Sequence, residues 1–234
     1  MSTELAPGLF IQIFTPPLQL SGFKVIAFDM DSTLINIECI DEIADAAGKK
    51  SEVAAITEAA MRGEITDFKE SLRRRLALLR GVPVEALQQV YEQRLRLNPG
   101  AQELMTAART AGLKTLLVSG GFTYFADRVQ QRLGMDVARS NELEIDNGRL
   151  TGRVVGDIVD GEEKKRQLLA LCERVGCSPL EAIAVGDGAN DLPMMSAAGL
   201  SVAYHAKPKV REQAMVAINE GGLDRLLEVV HPPR

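Results

Sequence analysis

The sequence predicts an α/β fold: a parallel sheet covered by helices on both faces, with a small helical segment inserted after the first strand. Three observations predict it. Short apolar runs alternate with stretches of helical periodicity, the pattern of βαβ units. Within those runs consecutive residues are apolar, as strands buried on both faces require. The residues with chemistry to offer fall just after the runs, where open α/β sheets bind their ligands.

The elements follow in order. Residues 1–22 contain Leu9-Phe10-Ile11-Gln12-Ile13-Phe14 and then Pro16-Pro17, either a short edge strand or a loosely docked arm. Lys24-Val25-Ile26-Ala27-Phe28-Asp29 is an apolar run ending in a carboxylate and reads as the first buried strand. From 37 to about 97, apolar residues at Ile40, Ile43, Ala44 and Ala47, then Phe68, Leu72, Leu76 and Leu79, follow helical spacing. Gly48, Gly63 and Gly81-Val82-Pro83 punctuate this segment as turns. After Pro99-Gly100, strands are expected at Lys114-Thr115-Leu116-Leu117-Val118, Glu181-Ala182-Ile183-Ala184-Val185 and Leu200-Ser201-Val202-Ala203, with helices between them. Asp146-Asn147-Gly148, among the alternating residues Leu143, Ile145 and Leu150, reads as a hairpin with a type I′ turn.

With 234 residues, 46% hydrophobic and 25% charged, the chain suits one domain, or a core with an insertion. A net charge of −5 argues against a nucleic-acid surface. An anionic ligand would instead need local positive charge from Lys, Arg, a metal or helix N-termini. Cys39, Cys172 and Cys177 match no zinc spacing and read as reduced thiols. No run is long enough to span a bilayer, and the N-terminus lacks a signal-peptide pattern. The expectation is a cytoplasmic monomer or homodimer whose partner is a small molecule, not nucleic acid or membrane.

Four groups of polar residues stand at or near the strand ends. They are Asp29-Met30-Asp31-Ser32-Thr33, Ser119-Gly120-Gly121, Lys164 and Gly186-Asp187-Gly188-Ala189-Asn190-Asp191. Taken singly, each has a plain reading as a helix cap, a turn, a solvated lysine or a calcium-type loop. The last fails for 186–191, which lacks the alternating ligands and terminal Glu of such a loop. Together they supply what hydrolysis of a phosphomonoester needs. Its charge must be neutralised before a carboxylate can approach, which magnesium on one or two carboxylates does well. A second acid two residues on can protonate the leaving oxygen and later activate water. Lysine, a hydroxyl and backbone N–H groups hold the phosphoryl oxygens. Asp29, Asp31, Asp187, Lys164, Ser119 and Gly120 are the candidates.

These stretches resemble the haloacid dehalogenase superfamily of phosphohydrolases. From Lys24 onward the chain is similar to the branch that acts on phosphoserine, as in Phe28-Asp29-Met30-Asp31-Ser32-Thr33-Leu34, Val118-Ser119-Gly120-Gly121-Phe122 and Ala203-Tyr204-His205-Ala206-Lys207-Pro208. The resemblance implies a Rossmann-like core over 23–36 and 98–234, a helical cap over 37–97 and an N-terminal arm over 1–22. It implies that Asp29 is the nucleophile of an aspartyl-phosphate intermediate and Asp31 the acid and then the base. Asp29, Asp187 and the Asp31 main-chain carbonyl would bind Mg2+, with Asp191 orienting the site. Ser119, Gly120 and Lys164 would hold the phosphoryl group, and Asn190 would touch substrate or the catalytic carboxylates.

The resemblance further implies hydrolysis of O-phospho-L-serine, the last step of serine biosynthesis. Glu38 and Arg75 would meet the ammonium and carboxylate, a guanidinium gripping carboxylate in a two-pronged way. Both have other readings: Glu38 as an acid favoured at a helix start, and Arg75 as part of the solvent-facing cluster Arg73-Arg74-Arg75. Met61 and Phe68 read as an apolar lid or as core. Alternatives are the same chemistry on histidinol phosphate or with homoserine as acceptor, and a non-catalytic sensor of phosphate or metal.

Overall fold

The computed structural model describes residues 2–61 and 64–232, apart from the side chains of residues 60 and 61. Strands β1 (Thr3–Ala6), β2 (Leu9–Ile11) and β3 (Leu18–Gln19) precede the buried strand β4 (Val25–Phe28). Helices α1 (Cys39–Ala46), α2 (Lys50–Met61), α3 (Phe68–Leu78) and α4 (Glu85–Gln93) follow. Next come α5 (Ala101–Thr110), β5 (Lys114–Phe122), α6 (Thr123–Leu133), β6 (Val137–Asp146) and β7 (Arg149–Val155). The chain ends with α7 (Gly161–Val175), β8 (Ala182–Gly186), α8 (Leu192–Ala197), β9 (Leu200–Tyr204), α9 (Pro208–Gln213), β10 (Val216–Ile218) and β11 (Val230–His231).

One sheet runs β1-β2-β10-β9-β8-β4-β5-β6-β7. Its six inner strands, β10 to β6, are parallel, and antiparallel strands close both ends. Every residue of β4 and β8 is buried, so continuous apolar sequence was the right signal for strands with helices on both faces. Ile26, Phe28, Ile183 and Val185 pack to one side of the sheet, and Val25, Ala27, Ala182 and Ala184 to the other. The alternation follows from the two-residue repeat of a strand.

The helical segment between β4 and α5 is stitched to the far end of the sheet. Gly81 N–H donates to Leu150 O, Leu150 N–H to Val82 O, and Val84 N–H to Gly148 O. Asn147 and Gly148 both have positive φ, 48° and 72°, as a type I′ turn requires. Of the residues expected to alternate around that turn, Leu143 and Leu150 are buried but Ile145 is exposed. The pairing of β6 with β7 also shifts register between Leu143 and Ile145.

Two further points differ from the sequence reading or settle it. The choice left open at the N-terminus falls to strands: β2 pairs with β10 and β1 with β2, while β3 pairs with β11. His231 lies in that last pair. Strand β5 does not stop at Val118 but continues to Phe122, losing its regular register over 119–121. The turn expected at Gly63 and the side chain of Met61 lie outside the described residues.

Candidate active site

The carboxyl ends of β4, β5 and β8 are neighbours because β4 sits between the other two. Asp29 follows β4 directly, Ser119 and Gly120 occupy the irregular end of β5, and Asp187 follows β8. Lys164 lies in the first turn of α7, whose start is capped by Asp160 Oδ1 accepting from Glu163 N–H at 2.9 Å. Asp29, Ser119, Gly120 and Asp187 line one open cleft of about 860 Å³ together with Asp31, Glu38, Arg75 and Asn190, and Lys164 lies buried behind Asp29.

Lys164 is wholly buried, with its Nζ 2.8 Å from Asp29 Oδ1 and 2.7 Å from Asp191 Oδ1. Burial opposes its charge, but the carboxylates of Asp191 and Asp29 outweigh burial and hold the ammonium protonated beyond its usual range. Asp191 is fully engaged, since its Oδ2 accepts from Asp187 N–H (3.1 Å) and Gly188 N–H (2.9 Å). Gly186 makes room for this, because a Cβ there would stand 2.5 Å from the Asp191 carboxyl. Asp191 therefore braces the lysine and the 186–191 loop.

Asp29 Oδ1 takes Met30 N–H at 2.7 Å as well as Lys164. Among the described residues no hydrogen bond engages its Oδ2. Burial, then the charge of Asp191, pushes its carboxyl well above the usual carboxylate range, and Lys164 only partly offsets this. Asp187 is pushed up to about 7 by burial and then by Asp191. Its Oδ1 accepts from Thr33 Oγ at 3.3 Å. Oxygens of Asp29, Asp187 and Asp191 lie within 4.8 Å of one another. A cluster of buried carboxylates with one lysine among them is under-neutralised, and its all-oxygen donors suit a hard divalent cation. Because Asp191 is occupied, Asp29 and Asp187 are the side chains that fit such an ion.

The end of β5 adds a polar loop to the cleft. Ser119 Oγ accepts from Gly121 N–H at 2.9 Å, which leaves its own O–H to donate elsewhere. Gly120 O is fixed by Asn141 Nδ2 at 2.8 Å, and Asn141 Oδ1 accepts from Val159 N–H at 2.8 Å. Asn141 thus ties the 119–121 loop to the chain entering α7.

The helical segment supplies the rest of the cleft. Asp31 is pushed up to about 7 by burial and then by the charge of Glu38. Glu38 is exposed and accepts from Ser32 Oγ at 2.6 Å. In the Arg73-Arg74-Arg75 cluster the first two are exposed, and Arg74 pairs with Glu70 at 2.8 Å. Arg75 turns into the cleft, with a buried Nε that has no hydrogen-bond partner among the described residues; Asp41 Oδ1, also on the cleft, has none among them either. Phe68 reaches across to the 119–121 loop, its Cζ 3.0 Å from where a Cβ on Gly120 would be. Lys69 beside it pairs with Asp160 at 3.0 Å.

The structure brings Asp29, Asp31, Ser119, Gly120, Asp187 and Asn190 to one cleft, with Lys164 paired to Asp29 from below its surface and Glu38 and Arg75 lining the cleft from the helical segment. The sequence reading assigned no part to Asn141, Asp41 or Lys69, and it passed over Cys39, which donates to Asp31. Thr33 was visible as the end of its motif. Asn141 offered no local signal, since both its partners are distant in sequence.

The chain matches the haloacid dehalogenase-like hydrolases over residues 23–199. It is 69% identical to a phosphoserine phosphatase of Polaromonas sp., over 97% of this chain and 98% of that one. A phosphoserine phosphatase of Albidiferax ferrireducens is 67% identical over 98% and 99%. A solved substrate-bound phosphoserine phosphatase complex superposes with a TM-score of 0.83 at 38% identity, covering 89% of this chain and 98% of that one.

Proposed function

The chain belongs to the haloacid dehalogenase-like hydrolases, and from that premise we propose that it hydrolyses O-phospho-L-serine to serine and phosphate, with Asp29 as nucleophile. The observation that carries the chemistry is the Asp29–Lys164–Asp191 chain, a buried carboxylate fixed through one oxygen with the other left to react. Near full-length identity to phosphoserine phosphatases carries the substrate.

Asp29 Oδ2 attacks phosphorus, the bond from phosphorus to the serine oxygen breaks, and Asp31 gives that oxygen its proton. Water then attacks the aspartyl phosphate, Asp31 takes the proton, and phosphate leaves with the Asp29 carboxylate restored. Lys164, the Ser119 hydroxyl and the Gly120 N–H hold the phosphoryl oxygens throughout. Asp29, Asp187 and the Asp31 main-chain carbonyl would hold the cation, which we assign as Mg2+; when bound it would neutralise charge on the phosphoryl group. Asn190 contacts the substrate from the 186–191 loop.

Arg75 takes the substrate carboxylate and Glu38 the ammonium. The unpartnered Nε of Arg75 supports this, since a buried guanidinium donor without an acceptor is costly until a ligand supplies one. Phosphoserine meets both groups, whereas a phosphorylated amine such as histidinol phosphate leaves Arg75 unmatched. The reaction closes the phosphorylated route to serine. A cytoplasmic setting accords with three free cysteines and with no helix among the described residues long and apolar enough to cross a membrane.

The test is a panel of phosphoserine, phosphothreonine, phosphoethanolamine and histidinol phosphate in magnesium buffer. Phosphoserine is expected to show the highest kcat/KM. Faster turnover of histidinol phosphate would overturn the substrate assignment and leave the aspartate chemistry standing.

A further inference from the structure

Cys39 is a buried thiol beside the site to which the proposed chemistry gives no task. It is the first residue of α1, and its side chain is fully shielded from solvent. Its main-chain N–H donates to Asp31 Oδ2 at 3.1 Å and its Sγ–H to Asp31 Oδ1 at 3.2 Å. An N–H in the first turn of a helix has no acceptor within that helix, so it is available to an outside oxygen. Burial, then the charge of Asp31, drives the thiol pKa well above its usual value, so Cys39 is a hydrogen-bond donor rather than a thiolate. On another side the carboxyl is confined by the β5 loop: a Cβ on Gly121 would stand 3.3 Å from Asp31 Oδ1.

One residue thus grips both oxygens of the side chain that must protonate the leaving group. We propose that Cys39 is a positioning residue for Asp31: its thiol and main-chain N–H fix the carboxyl in the orientation from which it protonates the departing serine oxygen. No proton leaves Cys39 and no bond forms to sulfur. The inference rests on the reading of Asp31 as the acid. It also gives the first residue of α1 a part in the chemistry of the sheet end.

A purely structural role would weaken all substrates alike, whereas a role through the acid depends on the leaving group. Serine leaves as a poor alkoxide and needs the proton; acetate leaves acetyl phosphate without one. The measurement is kcat/KM, which reports steps through leaving-group departure, for both compounds with magnesium present, in Cys39→Ala, Cys39→Val, Cys39→Ser and Asp31→Asn. Cys39→Ala, and Cys39→Val where packing must be kept, is expected to lose about tenfold on phosphoserine and less than about twofold on acetyl phosphate. Cys39→Ser, which keeps a donor, is expected to recover most of the loss. Equal losses on both substrates, or a gain on phosphoserine, would overturn the proposal. If Asp31→Asn is selective for phosphoserine and Cys39→Ala is not, only the positioning role fails. If Asp31→Asn shows no selectivity, the assignment of the acid fails first.

Discussion

The two walls of the cleft are built on opposite plans. At the sheet end, Lys164, Asp29 and Asp191 are almost entirely buried and joined at 2.7–2.8 Å, with main-chain donors saturating Asp191. On the helical wall, Glu38 is exposed, Phe68 and Lys69 are half-buried, and Arg75 and Asp41 keep orphaned polar atoms. Under the proposed function, the groups that act on the phosphoryl are fixed before substrate arrives, which spares reorganisation during reaction. Groups that read the leaving part are left unsatisfied, so the matching substrate gains what a mismatched one forfeits.

Removing the lysine tests the buried wall most severely. Lys164→Met strands two buried carboxylates, and the metal-free protein is expected to lose about 3–5 kcal/mol in urea unfolding, along with activity. A loss near that of a surface ion pair would show that the triad is not a closed buried unit. On the other wall, Arg75→Ala is expected to raise KM for phosphoserine about 10- to 100-fold while leaving the fold intact. Phosphoethanolamine, which lacks the carboxylate, should be affected by less than about threefold on the same hydrogen-bond reasoning. Equal effects on both substrates would remove Arg75 from recognition.

The sheet end should also show itself in pH dependence. Asp187 titrates near 7 when folded against a usual value of 3.8, and Asp29 is raised as well. A raised carboxyl favours the folded state below its unfolded pKa, and that contribution is lost as pH climbs through the folded one. Stability of the metal-free protein is therefore expected to fall between about pH 4 and 7 from these groups. Magnesium competes with protons for the same oxygens, so it should raise Tm more at pH 8 than at pH 5. An equal rise at both would place the ion elsewhere. The smallest effect belongs to the contact between the walls: Lys69→Ala removes a partly exposed pair and should change stability by less than about 1 kcal/mol. A large drop in kcat/KM from that variant would make the Lys69–Asp160 pair part of the working closure.

The sequence showed the two walls unequally. Strands β4 and β8 were plain because four or five consecutive buried residues leave a local trace, as did the Asn147-Gly148 turn. Strands β1, β2 and β10 are three or four residues long and are made strands by pairing with distant partners, a cooperative effect that local pattern does not carry. The candidate catalytic residues Asp29 and Asp31 stood out because they follow a strand in a compact motif. Cys39 and Asn141 did not, since what they do depends on atoms brought close by the fold: Asp31 across the turn after β4, and Gly120 and Val159 on either side of Asn141. Arg75 was set apart from Arg73 and Arg74 by the resemblance alone, and its partial burial gives the physical reason.

The most direct test of the central claim is to trap the covalent intermediate. Enzyme mixed with phosphoserine and magnesium, quenched in acid within the first turnover and digested, should carry one phosphoryl group on the peptide containing Asp29, and Asp29→Asn should carry none. Steady turnover with no phosphoryl on that peptide, or retained activity in Asp29→Asn, would contradict nucleophilic attack by Asp29.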